Sequence, residues 1–226
     1  MKFTLYTADC VGSLSNSIYP HKCVITGEDF IKSAVAFDHV AAEYTNNHRS
    51  SADFLSSDNI PMDCDNDHSD NQNDWVAPLE VAMAFPGVEF VVVYSRNHML
   101  PKSGKTARPR FHVYFPISPI TNSSEYTSLK KRIAAEFPYF DNNALDSARL
   151  LFGVRNPQVE VFNGNLSIVD FLENANFEQW DNESSSVPEG SRNSTMSHYA
   201  GRIIKRLGNT AVSYTHLRAH ETRSNL

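Results

Sequence analysis

The alternation of apolar and polar residues predicts two neighbouring strands in the middle of the chain. The stretch "RFHVYFPI", residues 110–117, alternates with a period of two, which is typical of a strand with two different faces. One face takes Phe111, Val113 and Phe115, and the other takes Arg110, His112 and Tyr114. "VEFVVVYS", residues 88–95, is rich in β-branched and aromatic residues and predicts a buried strand. The loop between them contains Pro and Gly and has no helical period, so we expect the two strands to be antiparallel.

Helical periodicity marks three stretches, residues 26–44, 77–85 and 123–137. The first is expected to begin with a capping box formed by Thr26 and Asp29. Its apolar stripe comprises Phe30, Ala34, Phe37 and Ala41, and that of the third helix comprises Tyr126, Leu129, Ile133 and Phe137. Together with the antiparallel strands, these helices favour an α+β fold over a doubly wound parallel sheet.

The C-terminal third of the chain divides into four segments by composition. Residues 159–172 predict a hairpin turning at Asn163-Gly164 and a short helix, which would complete a domain spanning residues 1–172. Residues 173–187 are polar, acidic and Ser-rich and predict a linker, and residues 188–210 begin a second helical unit that stops early. Residues 211–226 are similar to translated sequencing-adapter read-through, so we expect a non-native tail; a native polar tail is the alternative.

Charge is segregated along the chain, although the net charge is only -6. Residues 53–80 carry eight acidic residues and no Lys or Arg, whereas residues 96–110 carry five basic residues and no acid. This distribution suits a protein that holds cations in one place and phosphates in another. The negative total argues against nucleic-acid binding driven by charge alone.

The chain shows no sign of export or of membrane insertion. Its N-terminus lacks the apolar core of a signal peptide, and its longest apolar run is too short to span a membrane. We therefore expect a reducing, cytoplasmic location. Zinc is not expected, because Cys10, His21 and Cys23 lack paired spacing and an obvious fourth ligand.

The stretch "MDCD" offers two carboxylates, Asp63 and Asp65, one residue apart at the end of an apolar run. On a strand both would point to one face, with Cys64 on the buried side. Two such carboxylates are unfavourable together unless a cation lies between them, and carboxylate oxygen suits Mg²⁺. The ordinary alternative is an acidic surface loop or a helix cap.

Two further positions extend this pattern. His112 lies on the polar face of its strand, after a basic, Gly-containing loop suited to wrapping a triphosphate. Asp146, in "LDSARLLFG", precedes an apolar run and could complete a trio of carboxylates. The alternatives are a structural strand histidine, a solvated loop and a turn aspartate. The acidic residues beyond Asp65, among them Asp67 and Asp70, are interpreted as a solvated loop.

In this order, "MDCD", "RFHVYF" and "LDSARLLFG" resemble the motifs of the archaeo-eukaryotic primase superfamily, in its bacterial and mobile-element primase-polymerase branch. They correspond to the family's Asp-x-Asp, small-x-His and third acidic motifs, over roughly residues 1–172. One position departs from the family pattern, since Arg110 stands where a small residue is usual. The resemblance implies a mainly antiparallel, RRM-like sheet flanked by helices, with an N-terminal α/β subdomain.

The resemblance also implies a function, namely template-dependent nucleotidyl transfer that makes or extends primers. Asp63, Asp65 and Asp146 would hold two divalent ions, Mg²⁺ or Mn²⁺, about 4 Å apart. His112 would contact the triphosphate of the incoming nucleotide. Charge and proximity alone make further phosphate-binding candidates of Arg110, Lys105, Arg108 and Arg149. The expected partners are a single-stranded DNA template, nucleoside triphosphates and a replicative helicase in cis or in trans.

Two other functions stay open at this point. One is a non-catalytic module that binds single-stranded nucleic acid through aromatic strands. It would have no use for the acidic trio and would be repelled by it. The other is a replication-initiator endonuclease, which the absence of any His-x-His sequence disfavours. The patch Lys130-Lys131-Arg132 is either a template contact or, more simply, a solvated helix face.

Overall fold

The structure is a computed structural model that describes residues 1–174. Its strands are β1 (Phe3–Thr7), β2 (His21–Ile25), β3 (His39–Val40), β4 (Glu43–Tyr44), β5 (Phe54–Cys64), β6 (Phe90–Tyr94), β7 (Phe111–Ile120) and β8 (Val159–Phe162). Its α-helices are α1 (Glu28–Val35), α2 (Pro78–Ala84), α3 (Ser123–Glu136) and α4 (Ile168–Asn174). The fold is therefore α+β, as the sequence pattern predicts.

The strands form two antiparallel sheets. A three-stranded sheet has the order β2-β1-β3, and a five-stranded sheet has the order β4-β5-β7-β6-β8. Strands β6 and β7 pair antiparallel through Val93 opposite His112, which confirms the expected relation of these two strands. Strand β5 pairs with the other side of β7.

The large sheet buries both of its faces. On one face, Phe111, Val113 and Phe115 pack into the main core under the helices α2, α3 and α4, where Phe85 contacts several other aromatic rings. On the other face, Val93 and Tyr114 pack against the three-stranded sheet and α1. This division matches the alternation predicted for β7. It also places His112, on the same face as Tyr114, toward the three-stranded sheet, which we call the N-terminal sheet.

The first helix is much shorter than its periodicity predicts. It begins after Gly27, which makes no side-chain capping bond, so the capping box of Thr26 and Asp29 is wrong. The predicted apolar stripe is correct at Ala34 and Ala41, which are buried, and wrong at Phe30 and Phe37, which are 59% and 44% exposed. The other buried positions of the helix are Ile31 and Val35. Residues 36–44, predicted as helix, lead instead into the short strands β3 and β4.

The carboxylate of Asp38 explains why the chain leaves the helix there. It is fully buried and accepts hydrogen bonds from the backbone N–H groups of Gly12, Ser13 and Gly153, each at 2.8 Å. A Cβ at Gly153 would lie 2.7 Å from the carbonyl oxygen of Ala36, so only glycine allows this approach. These contacts, which we call the Asp38 clasp, outweigh the helical propensity of the segment.

Other boundaries also differ from expectation. The segment predicted as a hairpin at Asn163-Gly164 supplies β8, which pairs with β6 rather than with a strand beyond the turn. Residues 45–59 are mostly polar, which is typical of a loop, yet strand β5 begins within them at Phe54. Periodicity did not predict β1 and β2, although an N-terminal subdomain was expected.

The later segments of the chain fall largely beyond what the structure describes. Helix α4 continues to Asn174, two residues into the predicted linker. The rest of the linker, the second helical unit at 188–210 and the expected non-native tail at 211–226 lie outside the described residues. Within residues 1–174, no helix is both long and apolar enough to cross a membrane.

Acidification is expected to weaken the fold through His39. Its Nδ1–H donates to the carbonyl of Phe37, and its Nε2 accepts from the hydroxyl of Tyr114, both within the core. Burial lowers the pKa of His39 from 6.5 to about 4. The unfolded chain therefore takes up this proton first, and the free energy of unfolding falls as the pH drops below 6.5. Near pH 5 the loss is about 2 kcal/mol.

Urea unfolding at about pH 7.5 and about pH 5 measures this loss. The variant His39→Gln keeps a polar side chain without the titration and should lose less stability between the two pH values. His21→Gln, which changes an exposed histidine paired with Asp9, serves as the control. A pH dependence unaltered in His39→Gln would contradict the assignment.

Candidate active site

The central feature of the site is a pair of side chains on adjacent strands, Asp63 on β5 and His112 on β7. They lie directly opposite each other in the antiparallel register, so they share the face that turns toward the N-terminal sheet. His112 Nε2 is 3.9 Å from Asp63 Oδ1. Cys64 points into the main core on the other face, as predicted.

Asp63 is a buried carboxylate with an incomplete set of partners. Arg149 donates to its Oδ2, whereas its Oδ1 is buried without a hydrogen-bond partner in the described chain. Burial raises the pKa of Asp63, but the charge that His112 carries when it is protonated, together with the charges of Arg149 and Lys130, outweighs burial and holds the pKa of Asp63 below its usual value. Asp63 is therefore ionised near neutral pH.

His112 is neutral under the same conditions. Burial lowers the pKa of its imidazole, and the carboxylates of Asp63 and Asp65 offset this only in part. The cation that balances Asp63 near neutral pH is therefore Arg149 rather than His112. A neutral imidazole beside a carboxylate can donate one hydrogen bond to a ligand or accept one from it.

Asp65 lies immediately after the end of β5 and is paired with the basic loop. Lys102 donates to its Oδ2 at 2.6 Å, and Arg110 Nε is 3.9 Å from its Oδ1. Lys102 is 38% exposed, so its ammonium group is open to solvent beside the carboxylate. Sequence reasoning counted Lys102 among the bases of the loop but missed it as a site residue.

Arg108 and Arg110, predicted to contact phosphates, are both fully buried. Arg108 donates to the backbone of Asn66 and Ser69 and to the carboxylate of Asp70, while Arg110 bonds the carbonyl of Leu100. Their guanidinium groups hold the acidic loop against the basic loop and present no surface to a triphosphate.

The acidic loop after Asp65 is consequently not simply solvated. Asp67 accepts from Arg110 at 3.4 Å, and Asp70 accepts from both Lys105 and Arg108 at 3.0 Å. The segregation of charge seen in the sequence therefore serves in part to join two neighbouring loops. Lys105 is 36% exposed and lies at the outer end of this contact.

Asp146 lies in an exposed turn. Its Oδ1 accepts from the backbone N–H of Ala148 at 2.8 Å, which is the turn role that the sequence left open as an alternative. The backbone beneath it is held by Lys130, whose Nζ donates to the carbonyl oxygens of Ala144 at 2.6 Å and Asp146 at 3.3 Å.

Lys130 corrects the interpretation of the basic patch on α3. Its side chain is fully buried, so it is neither a solvated residue nor a template contact. Burial lowers the pKa of its ammonium group to about 8, although Asp63 and Asp146 oppose the shift. Sequence periodicity places Lys130 next to the buried stripe residues Tyr126 and Ile133, the one signal that could have shown this.

The three carboxylates predicted to bind metal ions are not brought together. Among residues 1–174, no three His, Cys, Asp or Glu side chains form a group that could hold a metal ion, so the trio with Asp146 is not assembled. Asp63 and Asp65 lie on one side of the end of β5, and the unpaired Oδ1 of Asp63 provides a buried oxygen ligand. Each of these two carboxylates is paired with a neighbouring cation, Asp63 with Arg149 and Asp65 with Lys102.

Comparisons with known proteins complete the description of this site. No known protein family and no curated protein matches the sequence. Among solved structures, the chain is similar to the AEP domain of the cyanophage S-2L primase-polymerase. The two share 16% identity with a TM-score of 0.39, over 73% of this chain and 82% of that chain.

Proposed function

We propose that the chain is the catalytic domain of a template-dependent nucleotidyltransferase that makes or extends primers in the cytoplasm. The observation that carries the proposal is the buried Asp63 directly opposite His112, with Arg149 bonded to Asp63 and Lys102 bonded to the nearby Asp65. The sequence order of "MDCD", "RFHVYF" and "LDSARLLFG" supports the same function. The substrates would be nucleoside triphosphates and a single-stranded DNA template, with a replicative helicase as a further partner.

The chemistry is the attack of a primer or initiating 3′-hydroxyl on the α-phosphorus of a nucleotide, with pyrophosphate as the leaving group. Mg²⁺ or Mn²⁺ held by Asp63 and Asp65 would supply charge neutralisation when bound. The protein contributes positioning and electrostatic stabilisation rather than covalent chemistry. Asp146 would have to leave its bond to the N–H of Ala148 to become a further ligand, and substitution of Asp146 tests whether it does.

Burial reduces the number of residues that can contact a phosphate. His112 can donate a hydrogen bond to a phosphate oxygen from the face it shares with Asp63. Lys102, Lys105 and Arg149 keep part of their side chains exposed and carry the charge needed to bind a triphosphate. Arg108 and Arg110 are assigned to holding the two loops together, since neither is exposed.

The test is nucleotide incorporation on a single-stranded template, with Mg²⁺ or Mn²⁺ and labelled nucleotides, with and without primer. Wild type is expected to form product, and the double variant Asp63→Ala, Asp65→Ala is expected to form none. Equal product from the double variant, or none from wild type with either metal, would sink the proposal.

A second function, the non-catalytic binding of single-stranded nucleic acid, is favoured by one observation. Each of the two central carboxylates is paired with a cation, Asp63 with Arg149 and Asp65 with Lys102, which weakens their repulsion of a nucleic acid. In the same assay, this module would bind the template and incorporate no nucleotide.

A further inference from the structure

Arg96, just beyond β6, is an exposed arginine whose charge has no counterpart in the described chain. Within residues 1–174 its guanidinium group has no hydrogen bond and no carboxylate within salt-bridge distance. It lies 3.8 Å from the centre of the Phe152 ring, close enough for a cation–π contact. A guanidinium stacked on a ring keeps its in-plane N–H groups free to bind a ligand.

The surface beneath Arg96 is held in place from both sides. Gly12 adopts φ +80°, and a Cβ at that position would lie 3.0 Å from Arg96 Nη1, so glycine leaves room for the guanidinium. The Asp38 clasp fixes Gly12 through its N–H and fixes Phe152 through the adjacent Gly153. Two loops that are distant in sequence are thereby joined under one arginine.

This surface lies beside the candidate active site. Arg149 binds Asp63, and the Phe152 ring stacks with Arg96. Residues 149 and 152 are three positions apart, so their Cα atoms are separated by at most about 11 Å. Leu151 between them packs with Val93 and Tyr114 on the sheet face that also carries His112. Arg96 therefore contacts the same short segment, residues 149–152, that supplies Arg149 to Asp63.

We propose that Arg96 binds a phosphate group of the substrate at this site. The proposal rests on the proposed function and adds a contact that the motifs do not contain. Arginine recognises phosphate through paired N–H groups, and a preorganised guanidinium loses little conformational freedom on binding. The described carboxylates near the site already pair with Lys102, Arg110 and Arg149, which leaves Arg96 as a charge without an internal role.

The phosphate could belong to the nucleotide or to the template backbone. Two binding measurements separate these sources: a fluorescent nucleoside triphosphate with Mg²⁺, and a labelled single-stranded DNA titrated at several salt concentrations. Arg96→Gln is compared with wild type, and Arg155→Gln, another exposed arginine without a contact in the described residues, is the matched control. Arg96→Lys keeps the charge but not the planar pair of donors and should recover binding only in part.

We expect Arg96→Gln to weaken the binding of one of the two ligands by roughly tenfold or more. Arg155→Gln should bind both ligands about as tightly as wild type. If only the binding of the nucleoside triphosphate is weakened, the phosphate that Arg96 contacts belongs to the nucleotide. Weakened DNA binding, with the slope of log affinity against log salt reduced by about 0.7, identifies the template backbone.

The inference is overturned when Arg96→Gln binds both ligands as tightly as Arg155→Gln does, or when wild type binds neither. Its failure is distinct from that of the proposed function, because incorporation by wild type is measured separately. If wild type incorporates nucleotide and Arg96→Gln binds both ligands with unaltered affinity, only the inference is refuted. Binding lost in Arg96→Gln, with no incorporation by wild type, refutes only the nucleotidyltransferase.

Discussion

Asp63→Asn is expected to reduce nucleotide incorporation by about a hundred- to a thousandfold, the size of effect seen when one preorganised electrostatic group is removed. The amide is close to the carboxylate in shape but carries no charge, so it holds a divalent ion poorly. It also leaves Arg149 without its ion-pair partner beside the nucleotide. Arg149 is about one-third exposed and can turn to solvent, so the fold should be retained.

Steady-state incorporation and thermal unfolding of the same samples measure this prediction. Asp65→Asn and Asp146→Asn form the comparison, because the three carboxylates differ in burial and partners. We expect Asp65→Asn to follow Asp63→Asn closely. A loss in Asp146→Asn as large as that in Asp63→Asn would make Asp146 a full ligand, whereas a small loss would leave it as a turn residue. Full activity in Asp63→Asn would refute the site.

Asp38→Ala is expected to lower the free energy of unfolding by about 3–5 kcal/mol. The substitution leaves the N–H groups of Gly12, Ser13 and Gly153 without their acceptor, and each unsatisfied buried group costs roughly 1–3 kcal/mol. The estimate takes the lower part of the summed range, because Gly12 is exposed and water can reach part of the loop at residues 10–13 once the carboxylate is gone.

Chemical denaturation at neutral pH measures this loss of stability. Asp38→Asn keeps one oxygen acceptor and should be less destabilised than Asp38→Ala. Asp9→Ala is the control, since Asp9 is 86% exposed and pairs only with His21 at the surface. A loss of less than about 1 kcal/mol in Asp38→Ala would show that the clasp is not essential to the N-terminal sheet.

The sequence predicted those parts of the structure that depend on neighbouring residues. The period-two alternation of β7 correctly divided its side chains between two faces, and the absence of a helical period in the connecting loop predicted the antiparallel pairing with β6. The same geometry placed Asp63 and Cys64 on opposite faces of β5. These features follow from local backbone geometry, which a short stretch of sequence contains.

Features that depend on contacts between distant segments could not be predicted. Asp38 ends a helix-like segment because it bonds residues 26 positions before it and 115 positions after it. The burial of Arg108 and Arg110 depends on an acidic loop some forty residues earlier, whose partners no periodicity reveals. Lys130 is buried because carbonyl oxygens 14 and 16 residues later accept hydrogen bonds from its ammonium group.

The edges of the large sheet have a consequence for how a partner can bind. The edge strand β4 has only two residues, and the other edge strand, β8, has four. Strand β4 covers β5 only as far as Ser56, but beyond it the Tyr126 hydroxyl and the Asp141 N–H donate to the carbonyl oxygens of Asn59 and Asp63. Pro61, between these positions, has no N–H to offer. These features leave few unpaired backbone groups, which disfavours both edge-to-edge aggregation and the addition of a strand from another chain. A nucleic acid or a protein partner is therefore expected to be recognised through side chains and loops rather than by extending the sheet.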